Sequence, residues 1–457
     1  MRGMNYFILG LGLSGKAAAK LALKKGTVFL YDDNPERFRE EEVKQLLADG
    51  CFLVKRKQIN RVLGVTNLLI VSPGVERNHY IIECARRLRI ETLGELAFGA
   101  RFCKAPIVAV TGTNGKTTTC MLLQKILSKK RKTFLLGNVG VPFCAQVEQV
   151  GAEDLVVLET SSFQLEYSEG FHPKISLLLN LAPDHIAWHG GYENYRNGKY
   201  RIFRSQTKDD AAILLSDSSL LPPVGPIVWR FGFSENGDGV FCDEKIVYCK
   251  CGRKREKICD VKDLPQFPHE RLNALACFAV AEWFKLDRVK TLKVIQTFTP
   301  AEHRLEECGK QGELRFINDS KATNVHAAMA ALRCFPQENV CIILGGSDKG
   351  ETFAPLLEEL KRRNVFSVFV GETAEKLQCE ANRCGYQAYQ VCKNLTEATA
   401  MGAATLKNEG VLLFSPACAS FDAFQNYKER GDFFKKTVKE WLVKNETTTP
   451  ETTQSLR

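Results

Sequence analysis

The sequence predicts an α/β protein with three domains, each built on a largely parallel sheet. Short apolar runs with strand character alternate with amphipathic helical stretches along almost the whole chain, and this alternation is typical of parallel sheets covered by helices. Two of the runs end in glycine loops that lead into a helix. The predicted strands are too many for one sheet, and a chain of 457 residues is long enough for several domains.

Two breaks divide this pattern. The predicted strands are YFILG, TVFLYDD, NLLIVSPG, PIVAVTG, LVVLET, ISLLLN, ELRFINDS, VCIILGG, VFSVFVG and GVLLFSP. A helical segment ends before Pro106, and a proline interrupts the chain at about residues 297–304. We therefore predict a Rossmann-like N-terminal domain over 1–94, a P-loop ATPase-like central domain over 95–300, a Rossmann-like C-terminal domain over 301–443, and a disordered polar tail over 444–457.

Composition excludes several classes of protein. The chain has no uninterrupted apolar run of roughly 18 residues and no signal cleavage pattern, so we expect a cytoplasmic protein that does not insert into a membrane. Its net charge is +10, but the basic runs at 129–132 and 250–257 have no interleaved aromatic residues, which argues against nucleic acid as a partner. Since no long apolar helix stripe demands a partner chain, we expect a monomer.

The chain has 17 cysteines, most of them in hydrophobic segments, which is typical of reduced core cysteine. Cys242, Cys249, Cys251 and Cys259 lie close together in the sequence. Their spacing contains C-x-C rather than the paired C-x2-C of a zinc site. We favour an exposed hairpin there, with a zinc site as the alternative.

The first glycine loop lies near the N-terminus. Gly10, Gly12 and Gly15 form G-x-G-x-x-G between a predicted strand and an alanine-rich helix, and Asp32 ends the next strand. This pattern allows a tight turn, close approach of the backbone to an anion, and a carboxylate available to a ribose or base. By itself it indicates a dinucleotide site, unless the glycines serve only strand–helix packing.

The second glycine loop is a phosphate cradle. Gly112, Gly115, Lys116 and Thr117 form G-x-x-G-K-T, with Val110 where the first glycine of the full P-loop pattern would stand. We expect backbone N–H groups to face phosphates, the lysine to neutralise β/γ charge, and a threonine hydroxyl to reach Mg²⁺.

Acidic and imidazole side chains follow two further predicted strands. Glu159 comes at the carboxyl end of LVVLE, where ligands collect in open α/β sheets, and its carboxylate suits Mg²⁺. Asp184, His185 and His189 follow ISLLLN. A single histidine after a strand is more often structural, but its place among these strand ends favours a ligand here.

The motifs together resemble the Mur ligase family. GTNGKTTT, ETSSFQLE, NLAPDH with YRNGKYRIF, HRLE, INDSKATN, GGSDKG and SPACASFDAFQNYKERGDFF occur in the family's order, and the resemblance extends to about residue 443. It implies an ATP-dependent amide ligase of peptidoglycan precursor synthesis. A substrate carboxylate would take the γ-phosphoryl group, and an incoming amine would attack the acyl phosphate. DSKATN and SPACASFDAF imply UDP-N-acetylmuramoyl-L-alanine and D-glutamate as the substrates.

The resemblance also implies roles for residues at matching positions. Lys116, Glu159, His185 and Lys199 would be catalytic, with Lys199 carbamylated. Two Mg²⁺ ions would be held with Thr117, Glu159, His185 and Lys199. ATP would contact Gly112, Thr113, Asn114, Gly115, Lys116, Thr117, Thr118, Asn273, Arg304 and Asp319. The N-terminal domain would hold UDP rather than NAD, and the UDP substrate would contact Leu13, Ser14, Asp32, Ser72, Asn138, Gln164 and His185. D-glutamate would contact Lys321, Thr323, Lys349, Ser420 and Tyr427.

Some positions depart from the family pattern, and two other functions stay open. Ala187 and Trp188 stand near where an acid and an arginine are expected, Glu270 replaces an asparagine, and Asp33–Asn34 replaces a polar and basic pair. Folylpolyglutamate synthase shares the GTNGKT loop, but the N-terminal glycine loop and DSKATN argue against it. A non-catalytic nucleotide-binding regulator is disfavoured because the four predicted catalytic residues are intact.

Overall fold

Three sheets carry the chain in the computed structural model, which describes residues 3–217, 219–299, 302–407 and 409–446. The first has five parallel strands in the order β3-β2-β1-β4-β5. Its strands are β1 (Met4–Leu9), β2 (Gly26–Tyr31), β3 (Phe52–Leu53), β4 (Leu68–Val71) and β5 (Glu91–Gly94). The accompanying helices are α1 (Leu13–Leu23), α2 (Glu41–Ala48), α3 (Ile59–Leu63), α4 (Tyr80–Arg87) and α5 (Glu95–Ala100). The strand order reverses at β1, which is where open sheets bind ligands.

The second sheet has nine strands in the order β14-β13-β12-β11-β10-β9-β6-β8-β7. They are β6 (Ile107–Thr111), β7 (Thr133–Gly137), β8 (Leu155–Glu159), β9 (Ile175–Leu178), β10 (Ala211–Leu215), β11 (Ile227–Gly232), β12 (Gly239–Cys242), β13 (Ile246–Cys251) and β14 (Lys254–Asp260). The helices between β6 and β15 in the chain are α6 (Lys116–Leu127), α7 (Phe143–Gln146), α8 (Ile186–His189), α9 (Tyr192–Tyr200), α10 (Pro268–Trp283) and α11 (Arg288–Gln296). β6 lies between β8 and β9, so the polar residues after these three strands share one edge.

The third sheet has six strands in the order β15-β16-β20-β17-β18-β19. They are β15 (Glu306–Gln311), β16 (Glu313–Asn318), β17 (Val340–Gly345), β18 (Phe366–Val370), β19 (Tyr389–Val391) and β20 (Glu409–Phe414). Its helices are α12 (Val325–Leu332), α13 (Ala354–Arg362), α14 (Ala374–Cys384), α15 (Leu395–Leu406) and α16 (Tyr427–Glu446). The pairing is parallel except between β15 and β16.

The described residues form two compact units. One lies within Met1–Leu181 and Glu193–Phe298 and contains the first two sheets; the other lies within Ala182–Tyr192 and Thr299–Arg457 and contains the third. The α/β fold class is confirmed, and every predicted strand coincides with a strand of the structure. The domain bounds stay predictions. The boundary at 300/301 lies outside the described residues, as do residues 447–457 of the predicted tail, whereas α16 continues through Glu446.

The clustered cysteines were expected in an exposed hairpin, and the predicted exposure is wrong for three of the four. β12, β13 and β14 are antiparallel at the edge of the second sheet, but Cys242, Cys249 and Cys259 are buried because they pack into its core, and Cys251 alone of the four is exposed. Within the described residues these thiols are free and belong to no group of closely placed metal-ligating side chains. The zinc alternative therefore has no support.

Candidate active site

The first glycine loop follows β1 and opens α1. Gly10 has a φ of +88°, and Gly12 caps α1. A Cβ at Gly15 would lie 1.9 Å from the Gly10 carbonyl oxygen, so only glycine fits this turn. Ser72, at the end of β4, is buried and lies against Gly10. Since the loop leads into the N-terminus of α1, it can accept an anion there.

Asp32 holds this loop in place. One carboxylate oxygen accepts the Leu11 N–H at 2.6 Å, and the other accepts the Asn34 N–H at 2.8 Å. The predicted contacts Leu13 and Ser14 begin α1, where Leu13 is exposed and Ser14 is half-buried. Both oxygens of Asp32 therefore already serve the protein backbone, and any role toward a ribose or base is additional.

The resemblance implies that this loop holds UDP. On that basis we expect Gly15→Ala to lower the affinity for the implied UDP substrate by at least about tenfold, because the methyl group would collide with Gly10 and open the turn. Gly64→Ala is the matched control. Gly64 follows α3, one of the helices that accompany the first sheet. A Cβ added there would have its nearest neighbouring atom at 3.4 Å. Titration calorimetry with the UDP substrate measures the effect, and equal affinities for the two variants would contradict it.

The P-loop connects β6 to α6. Gly112 and Gly115 have φ values of +149° and +84°, and Lys116 begins the helix. The Lys116 ammonium donates to the carbonyls of Gly112 and Thr113, both at 2.8 Å. The lysine therefore closes its own loop in this structure.

Asn180, just after β9, anchors the same loop. Its carbonyl accepts the Thr113 N–H at 3.0 Å, and its side chain accepts the Asn114 N–H at 2.9 Å. In this structure these two N–H groups therefore bond Asn180 and are not directed at a phosphate. The expectation of a phosphate site then rests on the N-terminus of α6, where Thr117 and Thr118 follow the lysine.

Asn273 reaches this loop from α10. A Cβ at Gly115 would lie 2.6 Å from the Asn273 side-chain oxygen, so the two residues are in direct contact. Asn273 is buried. Glu270, one turn earlier, is half-buried in the first turn of α10. The predicted ATP contact at Asn273 is thus brought to the P-loop.

Glu159 ends β8, the strand next to β6, and its side chain suits a cation. The residue is 2% exposed. One carboxylate oxygen accepts from the Asn138 amide at 2.8 Å, and the other is buried without a hydrogen-bond partner. A buried carboxylate oxygen normally has a donor or a metal, so Glu159 fits a Mg²⁺ ligand. Gln164, by contrast, is buried and accepts from Ser161.

Lys199 lies on α9 and points at the P-loop. It is 2% exposed, its ammonium donates to the Gly112 carbonyl at 2.9 Å, and it lies 4.7 Å from the centre of the Tyr195 ring. The Tyr195 hydroxyl in turn bonds the Thr113 hydroxyl at 2.8 Å. Lys199 is therefore not a surface residue, and its side chain packs against the P-loop.

In the second unit, Asp184 and Lys349 form an ion pair at 3.2 Å. Asn324 donates to the other Asp184 oxygen, also at 3.2 Å. His185 has a φ of +53°, a conformation rare outside glycine, and its Nε2 atom lies 3.6 Å from Asp184. His189 is buried beside the Trp188 ring, with 4.6 Å between ring centres. The side chain of Ala187 is not among those that the structure describes.

Asp319, the predicted ribose-binding acid, ends β16. Its carboxylate accepts from the Ser415 hydroxyl at 2.7 Å, and the Leu305 N–H lies 3.4 Å from its other oxygen. Burial raises the pKa of Asp319 to about 7, against the lowering effects of the Ser415 hydrogen bond and the Arg304 charge. The structure therefore brings the two predicted ATP contacts of this unit, Arg304 and Asp319, together.

The remaining predicted D-glutamate residues lie on segments that a buried arginine connects. The Lys321 ammonium lies 5.3 Å from the centre of the Tyr427 ring, Ser420 is buried, and Thr323 is half-buried. Arg430 donates to the carbonyls of Ser320, Cys418 and Ala419. It thereby fixes the turn before Lys321 beside the segment that ends at Ser420.

Comparison with known proteins identifies the family. The model described as Mur ligase middle domain matches residues 110–281, and the model described as Mur ligase, glutamate ligase domain, matches residues 303–418. A relative named UDP-N-acetylmuramoylalanine--D-glutamate ligase, from Thermoanaerobacter sp. strain X514, is 35% identical and covers 96% of this chain and 99% of its own length. The chain belongs to the Mur ligase family. A relative of the same name from Caldicellulosiruptor bescii is 36% identical, covering 97% of this Mur ligase and 99% of the relative.

The fold of this Mur ligase matches solved structures at low identity. The MurF ligase of Thermotoga maritima, solved in complex with ADP, has a TM-score of 0.60 and 16% sequence identity, and the match covers 97% of this chain and 96% of that chain. No helix among the described residues combines the length and apolar character needed to cross a membrane.

Three residues of this Mur ligase have contacts that its sequence does not predict: Glu351, Arg430 and Asp184. Arg430 lies in the NYKERGDFF motif, where burial of an arginine is not visible from the sequence. Burial lowers its pKa to about 10. Asp184 was visible only as the residue before His185. Glu351 directly follows the GGSDKG motif, which is the signal that could have drawn attention to it.

Proposed function

We propose that this Mur ligase joins D-glutamate to UDP-N-acetylmuramoyl-L-alanine, with ATP converted to ADP and phosphate. Similarity over nearly the full length to relatives of that name is the observation that carries the proposal. The substrate carboxylate takes the γ-phosphoryl group to become an acyl phosphate, ADP leaves, and the amine of D-glutamate attacks the carbonyl carbon as phosphate departs. The acyl phosphate is needed because a carboxylate is a poor electrophile.

The P-loop, Glu159 and Lys199 of the first unit support the phosphoryl-transfer half of this reaction, and His185, Arg304 and Asp319 of the second unit are assigned to it by their positions in the family motifs. Lys116 would release its loop carbonyls and bind the β- and γ-phosphates at the N-terminus of α6. Thr117, Glu159, His185 and the carbamate of Lys199 would hold two Mg²⁺ ions, which supply positive charge opposite the phosphates. Asn273, Arg304 and Asp319 would hold the nucleoside of ATP.

The other contacts follow the same proposal. The first glycine loop with Ser72 would hold UDP, and Asn138 and Gln164 the muramoyl part. Lys321, Thr323, Lys349, Ser420 and Tyr427 would hold D-glutamate, whose two carboxylates suit two lysines. We further propose a cytoplasmic monomer that binds no nucleic acid.

The test is ADP release with each acceptor and each amino acid in turn. We expect release to require both UDP-N-acetylmuramoyl-L-alanine and D-glutamate. Release that depends on a folate and L-glutamate would instead favour folylpolyglutamate synthesis, and the absence of ATP turnover with any pair would favour a regulator.

Lys349→Ala is expected to raise the KM for D-glutamate by about 10- to 100-fold, because it removes a charge-assisted hydrogen bond. The KM values for ATP and the UDP substrate should change by less than about twofold. Lys393→Ala, at an exposed lysine of the same unit, is the control. Initial-rate kinetics measure all three constants, and a selective rise in the ATP KM would place Lys349 at the nucleotide instead.

A further inference from the structure

A second acid lies beside the Asp184–Lys349 pair. Glu351 is 9% exposed, in the loop between β17 and α13. One of its carboxyl oxygens accepts the Val325 N–H at 3.3 Å, and its carboxyl group interacts with that of Asp184. The other oxygen is buried and has no hydrogen-bond donor. A carboxyl group that served only the fold would be expected to have both oxygens satisfied.

Two acids lie beside one lysine in this group. Lys349 donates to Asp184 at 3.2 Å, and the Glu351 carboxyl group interacts with Asp184 from its own side. Burial and then repulsion by Asp184 raise the pKa of Glu351, although the Lys349 charge lowers it. A cationic donor at the buried Glu351 oxygen that has no partner would stabilise the charged carboxylate, and the site is therefore suited to one more cation.

We propose that Glu351 binds, together with Asp184, the ammonium group of the amino-acid substrate, while Lys349 turns from Asp184 to a substrate carboxylate. This inference rests on the proposed function, since it assigns a residue to its amine substrate. D-glutamate carries an ammonium group beside carboxylates, so it can exchange partners with the internal ion pair. The substrate ammonium replaces the lysine on Asp184, and Glu351 gains the donor that its buried oxygen lacks.

The test compares D-glutamate with glutarate, which differs only by lacking the amino group. Calorimetry uses the full chain saturated with UDP-N-acetylmuramoyl-L-alanine and a non-hydrolysable ATP analogue. We expect the wild type to bind D-glutamate more tightly than glutarate. In Glu351→Gln this preference should fall by about tenfold or more, because affinity for D-glutamate drops while affinity for glutarate does not. Glu351→Asp, which keeps the charge, should retain part of the preference.

Glu358→Gln is the matched control, because it makes the same substitution at an exposed position of α13 and should leave the preference unchanged. A wild-type protein that binds the two ligands equally would overturn the proposal without any variant, and so would a parallel loss of both ligands in Glu351→Gln. The proposed function is checked separately in the wild type by adding hydroxylamine in place of D-glutamate. If no hydroxamate of the UDP substrate forms, the proposed ligase reaction fails, whereas the ligand comparison still reports on Glu351.

Discussion

Lys116→Ala should abolish formation of the acyl phosphate, with a loss of at least about 100-fold. The ammonium is the positive charge that the P-loop offers to transferring phosphates, and electrostatic stabilisation dominates such steps. The measurement is hydroxamate trapped from the UDP substrate and ATP. Near-normal trapping by the folded variant would remove Lys116 from the mechanism.

The fold should survive this substitution. Lys116 is half-buried and donates to the Gly112 and Thr113 carbonyls of its own loop. Asn180 holds the loop separately, through the Thr113 and Asn114 N–H groups. Thermal unfolding of the variant should therefore stay close to that of Lys125→Ala, which removes an exposed lysine from the same helix. A large drop in the melting temperature would show that the lysine mainly supports the loop.

The position of Glu159 beside the P-loop could be predicted from local sequence, because neighbouring parallel strands end at the same edge of a sheet. Glu159 is the last residue of β8, and Asn180 comes shortly after β9. These two strands are the neighbours of β6. Runs of β-branched residues mark such buried strands clearly. Once those strands were recognised, the position of Glu159 beside the glycine loop followed from topology alone.

The surroundings of Asp184 could not be predicted in this way. Asp184 bonds Lys349 across 165 residues and Asn324 across 140, and no periodicity in the chain reports such contacts. The segment Ala182–Tyr192 lies inside the predicted range 95–300 but is grouped with the second unit. Glu351 interacts with Asp184 of that segment, and its own motif carries no signal of this distant contact.

The buried position of Lys199 is the basis of the last prediction, a carbamate on its side chain. A water-exposed lysine would have no need of modification, but Lys199 is buried against the Gly112 carbonyl and the Tyr195 ring. Burial disfavours a bare ammonium, and one facing bound Mg²⁺ would also be repelled. Reaction of the free amine with CO₂ forms an N–C bond, releases one proton and leaves an anionic group. That group would supply the acid that is missing after His185, where Ala187 and Trp188 follow.

We therefore expect activity to fall when CO₂ is rigorously removed and to return with bicarbonate. Lys199→Ala should lose at least about 100-fold in turnover, and a small carboxylic acid such as acetate should restore part of it by occupying the space of the carbamate. Lys208→Ala, at an exposed lysine further along the chain, should lose nothing and should not respond to acetate. Carbon-13 NMR with labelled bicarbonate reads the modification directly, because the carbamate carbon appears in the wild type and is absent from Lys199→Ala. Wild-type turnover by Lys199→Ala at saturating Mg²⁺ would exclude the carbamate, because the reaction would then proceed with no acid at this position. An unmodified amine in a nucleotide-bound crystal structure would also exclude it, because the modification would be absent from the complex that reacts.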